Sequence, residues 1–130
     1  MAGEAFILSL GPDPAGMLRI WGVHVMIGAF LSTTFVLLGR NRAEWNFLDL
    51  LAFLLPFATW HALGSIFSFE GKTLGNLAEP IYLSFGIPVA AAIRVVAGPR
   101  ADKRLMSLSL VALLCLTATG IYLWTPALPE

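Results

Sequence analysis

Charge is what this chain has least of. Only 12% of its 130 residues are Asp, Glu, Lys or Arg, about half the fraction of an ordinary soluble domain. Eight basic residues balance eight acidic ones. No basic run is present to hold a nucleic acid, so nucleic-acid binding is excluded as an expectation. The single cysteine, Cys115, rules out an intrachain disulfide, and its apolar neighbours mark it as a small buried hydrophobe. The run Ala5 to Leu10 lacks a positively charged flank and is too short to span a bilayer, so it reads as a segment lying on the membrane surface. Also missing are a Ser-His-Asp set, a phosphate-cradling glycine loop and a paired carboxylate. Without them there is no case for an enzyme built from this chain alone.

What the chain has is apolar length. Hydrophobic residues make up 58% of it, and the mean hydropathy is +0.81. They come in long blocks and not at amphipathic spacing, which argues for lipid as the solvent. Trp45 to Phe69 is the most continuous block, long enough to cross a hydrocarbon core of ~30 Å. Four spans are predicted, at about residues 17–38, 45–69, 80–96 and 105–124. The connections are short, so sequence neighbours are expected to be antiparallel neighbours. The fold class predicted is all-α: a four-helix transmembrane bundle of up-down topology, one integral membrane domain over residues 1–130. Kinks are expected at Pro56 and Pro88, each of which frees a carbonyl four residues earlier. Pro80 suits the first turn of the third span, with Glu79 or Asn76 as its cap.

Orientation follows from the basic residues. Of the eight, Arg40, Arg42, Arg94, Arg100, Lys103 and Arg104 fall at one end of the bundle, leaving only Arg19 and Lys72 at the other. Six against two places the first and third loops in the cytoplasm and both termini outside, in a cell (inner) membrane. Arg94 lies near enough to its span end to snorkel. Trp21, Trp45, Tyr82, Tyr122 and Trp124 sit near span ends, where amphipathic rings favour the headgroup level.

The polar residues inside the spans are few. His24 and His61 fall at similar depth, ~10 Å and ~12 Å from the outer side. His24, Gly28 and Ser32 form one small and polar stripe, and Ala58, His61, Ser65 and Ser68 form another. Both are expected to be helix contacts. Gly86 with Ala90, and Thr117 with Gly120, offer the same on the last two spans. Asp49, ~6 Å inside the second span, needs a partner; Arg40, Arg42 and Arg94 are the candidates. The two histidines read either as interhelical glue or as ligands. As ligands they would hold haem, a chlorophyll-type pigment or a metal, the last with Glu79 as third ligand.

The function expected is that of a small polytopic membrane protein, a non-catalytic accessory or scaffold subunit of a larger membrane complex. It requires no cofactor. Its partners are membrane lipid and other membrane subunits or further copies of itself. One alternative is a redox or pigment-binding protein using His24 and His61 as cofactor ligands. A second alternative, a small channel or transporter, is disfavoured by the lack of a charge near the midplane and of an inverted repeat.

Overall fold

A computed structural model describes residues 14–70, 72, 76, 78–100 and 102–128; the surface segment expected from Ala5 to Leu10 lies outside them. The described residues are helical, with no strand among them. Four stretches are long and apolar enough to cross a membrane: Pro14–Gly39, Phe47–Ile66, Glu79–Ala97 and Lys103–Trp124. The first is one helix, α1 (Pro14–Gly39). The second is a 3₁₀ segment (Phe47–Phe53) followed by α2 (Leu55–Ile66). The third is likewise double, α3 (Glu79–Ser84) then α4 (Gly86–Ala97). The last is α5 (Lys103–Trp124), capped by Asp102, whose carboxylate accepts from Leu105 N at 2.8 Å.

The two mid-span prolines explain the divisions. Pro56 and Pro88 each fall in the first turn of a new helix, where a missing N–H costs nothing because no intrahelical acceptor awaits it. The breaks come at Leu54 and Phe85, just ahead of each proline. A broken ladder in lipid leaves carbonyls that need new donors. One is supplied from α1, where Trp21 Nε1 donates to Phe53 O at 2.8 Å.

The register of the contacts fixes the topology. Along the first and third spans His24 meets Pro80 and Ser84, Gly28 meets Ile87, and Gly39 meets Val95. The numbers rise together, so these spans run parallel. Asp49 with Ser107, then Phe67 with Tyr122, shows the same for the second and fourth. Trp60 with Glu79 and Asp49 with Arg94 run in opposite senses, as an up-down bundle requires. The closest packing is thus first against third and second against fourth. Sequence neighbours run antiparallel as expected, while the most extensive contacts lie between alternate spans. Glycine is the physical reason on the first pair: a Cβ at Gly28 or Gly39 would run into Ile87 or Val95, so their absence sets the approach. On the second pair, Phe57 and Trp60 pack with Ala118 and Tyr122 in one core cluster, and Ala52 with Leu110, Val111 and Leu114 in another.

One predicted contact stripe is present and one is not. His24, Gly28 and Ser32 are all buried on α1, joined by Gly16 and Gly39. On α2 the buried face is Pro56, Phe57, Trp60 and Gly64, whereas Ala58, Ser65 and Ser68 are exposed and His61 is half-buried. The aromatic face wins because Trp60 and Phe57 bury far more surface than alanine and serine. Just beyond the end of α2, Ser68 and Phe69 have φ of 52° and 51°, left-handed values uncommon for such residues. Phe69 N donates to Gly64 O at 2.8 Å, and its ring folds back over Gly64, where a Cβ would collide with it. On the fourth span, Gly86 meets Leu114 as expected, but Thr117 is exposed and donates to Leu113 O of its own helix.

Candidate functional site

At the end carrying the second loop and the chain's C-terminal residues, Glu79 is wholly buried. It does not cap α3; that position is Ala78, without a side-chain cap. Its Oε2 accepts from Trp60 Nε1 at 2.7 Å. Its Oε1 accepts from Lys72 Nζ at 2.8 Å and from Asn76 Nδ2 at 2.7 Å. Lys72 also donates to Tyr122 O and Thr125 O at 2.6 and 2.8 Å, and lies 4.7 Å from the Tyr122 ring centre. Asn76 reaches Pro126 O and accepts from Leu128 N. One carboxylate therefore ties the second span, the second loop and the C-terminal residues together. Both of its oxygens are engaged in these bonds.

The opposite end has a second node. Arg94, expected to snorkel, is instead buried at 3% exposure. It donates to Asp49 Oδ2 at 3.3 Å, Ser107 Oγ at 3.1 Å, Glu44 O at 2.8 Å and Lys103 O at 3.1 Å. Four acceptors inside the bundle hold it better than water at the rim would. Asp49 does a second job: its Oδ2 accepts from Asn46 N at 2.7 Å, while Asn46 Oδ1 accepts from Leu48 N at 3.4 Å. That is a capping box at the start of the second span. Of the three arginines considered for Asp49, Arg94 is the partner.

The histidines occupy different surroundings. His24 is 1% exposed, with Nδ1 3.1 Å from Pro80 O and 2.9 Å from Ser84 Oγ. Ser84 Oγ donates to Pro80 O at 2.8 Å, so its lone pair is free to accept and the Nδ1–H tautomer satisfies both contacts. His24 Nε2 is buried without a partner. His61 instead lines an outward groove with Met17, Leu18, Trp21, Ala58 and Ser65. Phe57 borders both, its ring 5.8 Å from that of His24. Among the described residues no hydrogen bond or ring contact joins the two histidines, and no group of three or more metal-ligating side chains occurs.

Beside the Arg94 node lies a cavity of about 260 Å³, walled by α1, the 3₁₀ segment, α4 and α5. Sequence reasoning missed it, since it depends on which helices pair. Two of its lining groups, Ser32 Oγ and Trp45 Nε1, are buried with no hydrogen-bond partner.

Four apolar helical spans among the described residues, with the buried pairs Lys72–Glu79 and Arg94–Asp49 at their ends, mark a polytopic helical membrane protein. Comparison with known proteins finds no family model, no curated protein and no solved structure that matches the chain.

Proposed function

We propose that the chain is a non-catalytic subunit of a larger assembly in a cell membrane, built to pack against another transmembrane helix. The observation that carries this reading is the outward groove of the second span. Ala58, His61 and Ser65 turn a small and polar strip away from the bundle, beside Met17, Leu18 and Trp21. Lipid gives such a strip nothing to bond or pack against, whereas a second helix approaches closely over small residues. The internal polar groups support the same reading. Glu79, Lys72, Arg94 and Asp49 are used in tying spans together, which suits a scaffold.

The test is photo-crosslinking in native membranes from a probe placed at position 65, with position 113 as control. Leu113 is exposed at 52% on α5. A discrete adduct from 65 and none from 113 is expected, its mass telling a different subunit from a second copy. Equal, diffuse labelling from both would overturn the proposal.

The cofactor reading keeps one supporting observation, the unpartnered Nε2 of His24. A metal- or haem-ligating histidine often holds its other nitrogen against a carbonyl, as Nδ1 is held by Pro80 O. A visible absorption band in the purified protein, lost in His24→Ala and in His61→Ala, would put that reading first.

A further inference from the structure

The cavity beside Arg94 carries an inference independent of the groove around His61, with which it shares no lining residue. Its walls are mainly apolar, among them Ala52 and Ala91, and its polar groups converge from four elements. That is the composition of a small-molecule site. Ser32 is the informative residue. Elsewhere in the chain, Thr33, Thr59, Ser65 and Thr117 each donate to the carbonyl four residues earlier on their own helix. Ser32, at 5% exposure, makes no such bond and lines the cavity with its oxygen unpartnered. Trp45 adds an indole N–H, also buried and unpartnered. An indole N–H only donates, and a serine hydroxyl can donate as well.

Charge narrows the ligand further. Arg94 is met by Asp49 at 3.3 Å, so the site offers no unopposed charge to an ion. Size narrows it again. A dry apolar cavity of ~150 Å³ accepts benzene, and this one is larger at about 260 Å³. We infer that the cavity binds a neutral, largely apolar molecule the size of a substituted six-membered ring, whose carbonyl oxygens accept from Ser32 and Trp45.

Duroquinone, a tetramethylated ring with two carbonyls, is the probe, and durene, the same ring without oxygens, is its control. Detergent-solubilised protein is dialysed to equilibrium against each, with protein-free micelles as reference. Saturable uptake of one duroquinone per chain is expected, with durene at least ~10-fold weaker. Ser32→Ala and Trp45→Phe should each weaken duroquinone about fivefold, the worth of one hydrogen bond. Ala91→Leu, which fills the space, should weaken it more than ~10-fold. Uptake no greater than in empty micelles would mean that water or lipid fills the cavity, and would overturn the proposal. So would equal binding of durene, or unchanged affinity in both Ser32→Ala and Trp45→Phe. Should Ala91→Leu fail to fold, those two variants decide the matter, since each deletes a donor and adds no bulk.

Discussion

Glu79 and Lys72 form the pair on which the most depends at the level of single residues. The carboxylate side chain is wholly buried and the ammonium side chain is 9% exposed, 2.8 Å apart. Removing one member of such a pair strands the other without its counter-charge, at a cost of about 3–5 kcal/mol. Glu79→Leu should show that loss in reversible unfolding, because Lys72 would keep the carbonyls of Tyr122 and Thr125 and the Tyr122 ring but no counter-charge. The double variant Glu79→Leu with Lys72→Met should recover part of it, since a buried pair replaced by apolar groups is often neutral. A single-variant loss under about 1 kcal/mol would instead place the pair in solvent-like surroundings. The sequence made Glu79 visible as a polar residue at a span border. It did not show its bond to Trp60, nineteen positions back, because nothing local links an indole N–H to a distant carboxylate.

At the scale of the helix, α1 is the most constrained. Gly28 faces Ile87 with no room for a side chain, whereas a Cβ at Gly22 would meet nothing within 4 Å. Gly28→Leu should therefore push the first and third spans apart and lower the yield of folded protein. Gly22→Leu and Leu37→Ala should not, Leu37 being exposed at 62%. Gly86→Leu should resemble Gly28→Leu, since its side chain would strike Leu114. Thermal stability and elution volume of the four purified variants check this; four alike would mean that the close approach is dispensable. The same helix shows how much was legible. Recurrence of small and polar residues every fourth position marked the α1 face correctly, and the prolines marked both breaks. The matching pattern on α2 misled because it says only that a face is unsuited to lipid. It cannot say whether the bundle's own helices or another protein covers that face. The buried side went to Phe57 and Trp60, whose bulk decides packing. The cavity was illegible for a related reason: its walls come from spans whose pairing, first with third and second with fourth, depends on contacts far apart in sequence.

For the whole molecule the open quantity is its direction in the membrane, and the fold sharpens the argument for it. The exposed pair Lys103 and Glu44, 3.3 Å apart, joins the third loop to the first. Arg94 binds backbone from both, at Glu44 O and Lys103 O. These loops therefore lie at one end, while Lys72 with Tyr122 O and Thr125 O marks the other. Six of the eight basic residues belong to the first end and two to the second, and short loops with such an imbalance stay in the cytoplasm. Burial removes Arg94 from the surface count and, by the same reasoning, Lys72, yet five of the remaining six still favour the same side. In a Cys115→Ser background, Lys103→Cys should resist an impermeant maleimide in intact cells and react in inverted vesicles. Glu70→Cys, at an exposed position just after the second span, should do the opposite. Labelling at position 103 from outside would turn the molecule over, moving the Arg94 cavity to the outer leaflet and the His61 groove to the inner one.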